Sequence, residues 1–229
     1  MLTHQTALPG GHSRQAIVLA GRAAAPVKST HGSIELMGAA MSFGRNVEIY
    51  GENEPADYFY KVISGTVRTY KVLNDGRRQI GAFYLPGDIF GLEMGEEHTF
   101  SAEAIVDCSV LIFKRSAVIA LAGRDNVVAQ QLWAWTGQEL KRVQDHIMLL
   151  IKTAQERVAS FLLEMASRLE CDKSFELPMS RQDIADYLGL TIETVSRTLT
   201  QLENSAAIAL PSSRQVVLRN RAALGRLNG

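Results

Sequence analysis

The chain has 229 residues, of which 46% are apolar and 21% are charged, values that are ordinary for a folded globular protein and exclude a disordered one. Its 24 basic side chains balance 24 acidic ones, so the overall charge predicts neither a nucleic-acid partner nor a membrane partner. No run of apolar residues is long enough for a transmembrane helix, and a function that depends on charge must arise from local geometry.

The cysteines and the N-terminus indicate the cellular compartment. Cys108 and Cys171 lie far apart, without a neighbouring thiol, a pattern that suits a reducing cytoplasm and predicts neither a disulfide framework nor an iron–sulfur ligand set. Near the N-terminus, Arg22 follows the short apolar run Ile17–Ala20, which is not the basic, apolar and small-residue order of a secretion signal. We expect a cytoplasmic protein that does not enter a membrane.

Residues 1–32 are rich in Gly, Ala, His, Ser and Thr and show little sustained periodicity. We interpret them as a flexible N-terminal arm with one short helix near Arg14–Leu19. A tail without a function of its own is favoured over a functional segment, because no motif stands out in it.

Residues 33–123 have the pattern of an antiparallel β domain. Short runs rich in Val, Ile, Tyr and Phe alternate with glycine-containing turns, and such a density of turns favours a sandwich or roll over a parallel sheet. The tripeptide Asn74–Gly76 between two of the runs is a strong hairpin signal. The runs are Asp57–Ile63, Thr66–Leu73, Arg78–Leu85 and Ser109–Phe113.

Residues 124–152 predict one long helix. Its apolar positions repeat at alternating spacings of three and four, with one threonine among them, which is the pattern of a heptad seam. The helix either lies on the core of the β domain or forms a coiled coil with a second copy, and its length and narrow stripe favour the second interpretation. The predicted dimer interface is Trp133, Thr136, Leu140, Val143, Ile147 and Leu150, and the seam continues to Ala154.

Residues 153–229 contain the most specific pattern of the chain. After a helix over Ala154–Leu169 and a polar link over Cys171–Glu176, Ser180 and Asp183 have the spacing of a capping box at the start of a short helix. A glycine then ends this helix, since a left-handed C-terminal position tolerates glycine best, and a threonine caps a second helix. Together these features predict a helix-turn-helix and not a plain helical hairpin. The glycine and threonine are Gly189 and Thr191, and the inner faces are Ile184, Ala185 and Leu188, then Val195, Leu199 and Leu202.

The exposed face of the second helix carries Glu193, Ser196 and Arg197, which lie at i, i+3 and i+4 and project together. In a helix-turn-helix, the N-terminal half of this helix enters the major groove of DNA. Arg197 can donate two hydrogen bonds to guanine, Glu193 can accept one from cytosine, and Ser196 can serve either role or contact a thymine methyl group. The alternative is an exposed Glu193–Arg197 ion pair without function, but within this motif we favour base contacts by all three residues.

Contacts to the DNA backbone are expected around this face. Hydroxyl groups, guanidinium groups and the free N–H groups at the start of the second helix all suit phosphate. Further along, Ile208–Leu210 and Gln215–Arg219 predict a two-stranded wing with a turn between them. The predicted backbone contacts are Ser180, Arg181, Thr191, Thr194, Thr198 and Arg214.

These parts in this order resemble the cyclic-AMP receptor protein and fumarate–nitrate reduction regulator (CRP/FNR) family. The resemblance implies an α+β fold with an N-terminal double-stranded antiparallel β-roll, a long dimerisation helix and a C-terminal winged helix-turn-helix. It covers about residues 42–220 and is most specific over Gly189–Arg197. The triplet of Glu193, Ser196 and Arg197 resembles the FixK-like branch, whereas the cyclic-AMP receptor has glycine in place of Ser196. Matching roll segments are Gly51-Glu52, Asp57–Gly65 and Pro86–Gly91.

The resemblance implies a homodimeric transcription regulator, acting as an activator, that binds double-stranded DNA and contacts RNA polymerase. By analogy, the triplet implies a palindromic site similar to TTGAT-N4-ATCAA and control of low-oxygen, respiratory or nitrogen-fixation genes. The sequence has no nucleophile–base pair, phosphate-binding glycine loop or metal-ligand pair with usable spacing. We therefore expect no enzymatic activity.

Departures from the family pattern bear on the ligand. The cyclic-nucleotide binders of the family carry an Arg-Ser step where this chain has Phe100-Ser101. A cyclic phosphate beside phenylalanine lacks its guanidinium partner, which disfavours cyclic AMP. The oxygen-sensing branch carries an N-terminal cysteine cluster for a [4Fe–4S] centre, but residues 1–41 contain no cysteine.

Two alternatives remain for regulation. The first resembles FixK proteins, which have no known small-molecule cofactor, and it predicts neither a cofactor nor a metal in this chain. The second is a regulator gated by haem or by another effector in the roll. Of the cysteines, Cys108 is expected to be buried and Cys171 to be reactive if exposed. The candidate haem ligands, none of which lies in a motif, are His4, His12, His31, His98 and His146.

Overall fold

Eight short strands form two antiparallel sheets in the first half of the described chain. The structure is a computed structural model that describes residues 34–227, so the predicted N-terminal arm and its short helix lie outside these residues. After a 3-10 turn over Glu35–Met37, the strands are β1 Ala39–Phe43, β2 Glu48–Tyr50, β3 Tyr58–Ser64, β4 Val67–Val72, β5 Arg78–Tyr84, β6 Ile89–Phe90, β7 Ser101–Ala104 and β8 Cys108–Lys114. The strand orders are β1-β8-β3-β6 and β2-β7-β4-β5.

The sheets bury an aromatic and aliphatic core. Buried residues alternate with half-buried ones along β7, as expected when one face of a strand points to the core. The ring of Tyr60 stacks on Phe90 with centroids 5.0 Å apart and on Tyr50 with centroids 5.3 Å apart. This burial of apolar surface stabilises the roll, and the antiparallel β domain that the sequence predicts is confirmed.

The predicted hairpin at Asn74–Gly76 joins β4 to β5. The N–H of Leu73 donates to the carbonyl of Arg77 at 2.8 Å, and the N–H of Gly76 donates to the carbonyl of Leu73 at 2.8 Å. Gly76 has a φ of 82°, a conformation that glycine adopts without steric cost. The turn therefore forms from local chemistry, as predicted.

Two helices follow the roll. Helix α1 spans Arg115–Ala122, and α2 spans Asn126–Leu150, a length of 25 residues. The carboxylate of Asp125 caps α2 by accepting hydrogen bonds from two backbone N–H groups of its first turn. The sequence predicts α2 but not α1, whose eight residues are too few for a clear periodicity. None of the helices in residues 34–227 has the length and apolar character needed to cross a membrane.

Helix α2 packs on the roll with one side and leaves most of the predicted seam uncovered. Val128 is buried and Trp135 is half-buried against the same apolar cluster as strands β3 and β8. By contrast, Trp133 is 80% exposed. The seam does not continue to Ala154 as expected, because α2 ends at Leu150, which is half-buried. The other exposed seam residues are Thr136, Leu140, Val143 and Ile147.

The C-terminal helices cover a second core with a small sheet of order β10-β11-β9 at its edge. The two wing strands that the sequence predicts are β10 and β11. The expected polar link Cys171–Glu176 contains β9, and α6 was not predicted. The elements are α3 Ala154–Arg168, β9 Ser174–Glu176, α4 Arg181–Leu188, α5 Ile192–Asn204, β10 Ile208–Ala209, β11 Gln215–Leu218 and α6 Arg221–Leu227. The largest fully buried side chains here are Phe161, Leu162, Met165, Met179, Leu188, Leu202 and Ile208.

Alanine in place of Gly65 tests how the turn between β3 and β4 packs against Asp107, next to the start of β8. Gly65 and Gly76 both have a φ of 82°, but an added Cβ would lie 2.4 Å from the Asp107 carbonyl oxygen at Gly65 and would meet nothing within 4 Å at Gly76. Gly76→Ala should therefore cost about 1–2 kcal/mol of stability from backbone strain, and Gly65→Ala about 1–3 kcal/mol more from overpacking. Urea denaturation measures both, and equal losses would contradict close packing at Gly65.

Candidate nucleic-acid interface

The predicted helix-turn-helix is formed by α4, a glycine turn and α5. The Ser180 hydroxyl accepts from the N–H of Asp183 at 3.1 Å, and the Asp183 carboxylate accepts from the N–H of Ser180 at 2.9 Å. Gly189 ends α4 with a φ of 62°, and Thr191 caps α5 by accepting from the N–H of Thr194 at 3.2 Å. Each local signal in the sequence therefore has the structural role that it predicts.

The base-reading candidates lie together on the N-terminal half of α5. Glu193 and Arg197 are exposed and Ser196 is half-buried. The simplest alternative for the two charged residues is an ion pair with each other, but Arg197 instead contacts the hydroxyl of Thr194 at 3.5 Å. Within the described residues, neither charge has an ionic partner, so both remain free to contact a ligand.

Hydrogen bonds at the start of α5 favour the ionised form of Glu193. Its own backbone N–H and the Thr191 side chain lower the pKa of this carboxyl group. An ionised carboxylate only accepts hydrogen bonds, so Glu193 presents an acceptor next to the guanidinium donor of Arg197. The base edges of DNA offer donors and acceptors in the major groove that match such a pair.

Arg181 connects the two helices beneath this face. Its Nη1 donates to the Ser196 hydroxyl at 3.4 Å, while its Nε is buried and has no hydrogen-bond partner within residues 34–227. The side chain thus lies at the base of α5, the proposed recognition helix, next to the half-buried hydroxyl of Ser196. This location is compatible with the predicted contact to the DNA backbone.

The other predicted backbone contacts differ in accessibility. Thr191 is exposed, and Thr194 is half-buried, as is Arg214, which donates to the carbonyl of Pro178 at 3.4 Å. The hydroxyl of Ser180 donates to the carboxylate of Asp183 and accepts from its backbone N–H. A phosphate that bound this hydroxyl would therefore compete with the helix cap. These predictions stay open.

Thr198 corrects the sequence interpretation. It is only 4% exposed, because it lies three residues after Val195 on the inner face of α5 together with Leu199 and Leu202. A hydroxyl in this position cannot reach a phosphate, and the prediction of a backbone contact by Thr198 is wrong.

Sequence reasoning also missed charged residues that join the roll to α4. Arg68 of β4 and Arg78 of β5 donate to the carboxylate of Asp183 at 2.7 Å and 2.6 Å. The partners lie more than a hundred positions apart in sequence, so no local pattern could have indicated them. The only available signal was the presence of arginines in two strands that also supply apolar core residues.

The roll contains a cavity of about 360 Å³ on the side where α2 crosses it. The carboxylates of Glu93 and Glu139 line it, and its one arginine, Arg142, is already paired with Glu139 at 2.7 Å and with Asp88 at 2.9 Å. Phe100 also lines the cavity, close to Gly81. The charged groups that line the cavity are therefore two carboxylates and an arginine that is already paired with carboxylates.

Two of the candidate haem ligands fall within residues 34–227. His98 is buried and stacks on the ring of Tyr50 with centroids 3.6 Å apart, and burial lowers its pKa. His146 stacks on Tyr187, and its Nε2 lies 2.8 Å from the Tyr187 carbonyl oxygen. These described residues contain no group of three or more His, Cys, Asp or Glu that could hold a metal ion. The remaining candidates, His4, His12 and His31, lie outside them.

Comparison with known families defines the class of protein. Residues 40–125 match the cyclic nucleotide-binding domain, and residues 156–227 match the Crp-like helix-turn-helix domain. A roll of the first kind followed by a helix-turn-helix of the second kind is the architecture of a DNA-binding transcription regulator.

Individual relatives indicate the branch of the family to which the chain belongs. It is 53% identical over 201 residues to the nitrogen fixation regulation protein FixK of Azorhizobium caulinodans, covering 85% of this chain and 81% of the relative. It is 39% identical over 216 residues to FixK of Rhizobium meliloti, covering 90% and 98%. The structure of FixK2 from Bradyrhizobium japonicum has a TM-score of 0.80 and 55% identity, covering 84% of this chain and 98% of that one. The chain belongs to the CRP/FNR family of transcription regulators, in its FixK-like branch, and is not an enzyme.

The two cysteines should differ in reactivity. Cys108 is buried, and burial raises the pKa of its thiol, so little thiolate is present to react at neutral pH. Cys171 is half-buried in the segment before β9. Iodoacetamide should therefore modify Cys171 before Cys108 in the folded protein, and raising the pH to 8 should leave this order unchanged. Mass spectrometry of tryptic peptides measures both rates, and faster labelling of Cys108 would contradict its burial.

Proposed function

We propose that this chain is a cytoplasmic, sequence-specific transcription activator that binds a palindrome similar to TTGAT-N4-ATCAA as a homodimer. The observation that carries the proposal is the exposed face of α5, where Glu193 and Arg197 have no ionic partner within residues 34–227 and stand beside Ser196. In the major groove, Arg197 donates to O6 and N7 of guanine, and Glu193 accepts from N4 of cytosine. The DNA backbone around these contacts is bound by Thr191, Thr194, Arg181 and Arg214.

The uncovered seam of α2 supports the homodimer. Trp133, Leu140, Val143 and Ile147 are exposed in the single chain, although large apolar side chains at heptad spacing normally pack against a partner helix. A two-fold dimer places one α5 on each side of its axis and matches a palindromic site. Leu150 and Thr136 complete the proposed interface.

We propose that regulation needs no small-molecule effector, and the acidic cavity in the roll supports this for anionic ligands. A cyclic phosphate would meet the carboxylates of Glu93 and Glu139, and Arg142 would have to break its own ion pairs to bind it. Phe100 supplies no charge. Cyclic AMP is therefore disfavoured as a ligand, and the same charges disfavour other anionic nucleotides.

The names of the relatives support control of nitrogen-fixation genes, and the resemblance to the FixK-like branch extends the proposal to low-oxygen and respiratory genes. The FixK proteins of Azorhizobium caulinodans and Rhizobium meliloti are nitrogen fixation regulation proteins. We propose that the dimer activates such genes by docking beside a promoter and presenting the surface of its β-roll to RNA polymerase.

Arg197→Ala tests base reading. Loss of a bidentate contact to guanine should weaken binding to the palindrome by about 1–3 kcal/mol for each half-site. It should also relax the base preference at one position of each half-site. Arg226→Ala, which removes an exposed positive charge from α6, is the charge-matched control and should leave specificity unchanged. Fluorescence anisotropy with the palindrome and a scrambled duplex, at two salt concentrations, measures both effects. Equal losses on the two duplexes would show that Arg197 does not read a base.

Leu140→Lys tests the dimer. A charge in the apolar seam has no partner and must be desolvated, so the dimer dissociation constant should rise by about tenfold or more, equivalent to roughly 1.4 kcal/mol. Gln144→Lys adds the same charge to an exposed position of α2 outside the seam and should have little effect. Analytical ultracentrifugation measures both variants. If Leu140→Lys dimerises as tightly as Gln144→Lys, the seam is not the interface.

A further inference from the structure

We propose that an ion-pair cluster latches the helix-turn-helix onto the β-roll and so presets the orientation of α5 for DNA without a bound ligand. The latch consists of Arg68 and Arg78 from the roll and Asp183 and Asp186 from α4. This inference rests on the proposed function, because orientation matters only if α5 enters DNA.

The contacts of the latch are short and numerous. Arg68 donates to Asp183 Oδ1 at 2.7 Å, and Arg78 donates to the same oxygen at 2.6 Å. Arg78 also donates from Nε to Asp186 Oδ2 at 2.8 Å, and its Nη2 lies 2.7 Å from the same oxygen. Arg68 in turn pairs with Glu103 of β7 at 2.8 Å, so a residue of the roll also holds this guanidinium group.

Burial distinguishes the latch from an ordinary surface ion pair. The side chain of Asp183 is 5% exposed and that of Arg68 is 10% exposed. Exposed ion pairs contribute little to stability, whereas removing one partner of a buried pair leaves a charge without compensation. Movement of α4 relative to the roll would break these short contacts and leave a buried charge without its partner, so the buried arrangement favours one defined orientation.

Asp183 joins the latch to the fold of the DNA-binding helices. Its Oδ2 accepts from the backbone and hydroxyl of Ser180 in the capping box, while its Oδ1 accepts from the two arginines. The same carboxylate thus starts α4 and fixes it to the roll. Because only Gly189, Leu190 and Thr191 separate α4 from α5, a fixed α4 fixes the recognition helix.

Ring and apolar contacts accompany the ion pairs in the joint between the roll and the C-terminal helices. The ring of Tyr187 on α4 lies 5.1 Å from that of Phe83 on β5 and stacks on His146 of α2 at 4.1 Å. Ile80 and Phe83 of the roll belong to the same apolar cluster as the core of the C-terminal helices. The joint therefore contains a specific ionic centre within a continuous apolar contact.

Arg78→Gln and Asp186→Asn test the latch without touching the capping box. Arg77→Gln is the matched control, since Arg77 is the neighbouring residue and is exposed, and its side chain pairs only with Asp75 among residues 34–227. The first measurement is the distance distribution between spin labels on the roll and on α5 in the DNA-free protein, with circular dichroism to verify folding. Both latch variants should broaden or shift this distribution, and Arg77→Gln should retain that of the wild type.

The second measurement is affinity for the palindrome. If loosening reduces the fraction of molecules in the binding orientation to about a tenth, the apparent affinity falls about tenfold, whereas the control binds as the wild type does. Unchanged distances, unchanged affinity or tighter binding in both latch variants would each overturn the proposal. Failure of the wild type itself to prefer the palindrome would instead refute the proposed function, while the distances in the DNA-free protein would still decide whether the ion pairs hold the joint.

Discussion

The carboxylate of Asp183 has donors on both of its oxygens, and the position of the recognition helix depends on that arrangement. Burial alone would raise the pKa of this group, but hydrogen bonds from Ser180 and the charges of Arg68 and Arg78 outweigh burial and lower it. The group is therefore ionised at neutral pH, when it accepts from the helix cap and from the roll together. A neutral side chain could still cap α4, but it would leave two guanidinium groups without their partner.

The positions of the charged side chains matter in this protein, and the net charge of the chain does not. Arginines and carboxylates pair within the roll, along α2 and across to α4, which is consistent with a net charge of zero. This pairing is incomplete, since Glu193 and Arg197 on α5, like Arg226 on α6, have no ionic partner within the described residues. A chain with zero net charge has little general attraction for the phosphates of DNA, so the proposed binding depends on local contacts to bases and to the backbone.

The sequence predicted what is encoded locally and failed where distant segments meet. The capping box of Ser180 and Asp183, the Asn74–Gly76 hairpin and the turn at Gly189 depend on a few neighbouring residues, and all are present in the structure. Thr198 was misplaced because its hydroxyl suggested phosphate, although its spacing from Val195 puts it on the buried face of α5. The latch arginines could not be found, since their partners lie more than a hundred positions away. Strand β9 was missed because three residues give no periodicity.

Helix α2 connects the proposed dimer to the DNA-binding face. Val128 and Trp135 pack on the roll, and near the other end His146 contacts Tyr187 of α4. The exposed seam between these points is where a second copy would bind. The spacing of two half-sites depends on the distance between two α5 helices, and each α5 is positioned through α4, the ion pairs and α2. A defined spacing in the palindrome therefore requires a rigid joint between roll and helix-turn-helix as much as it requires the dimer.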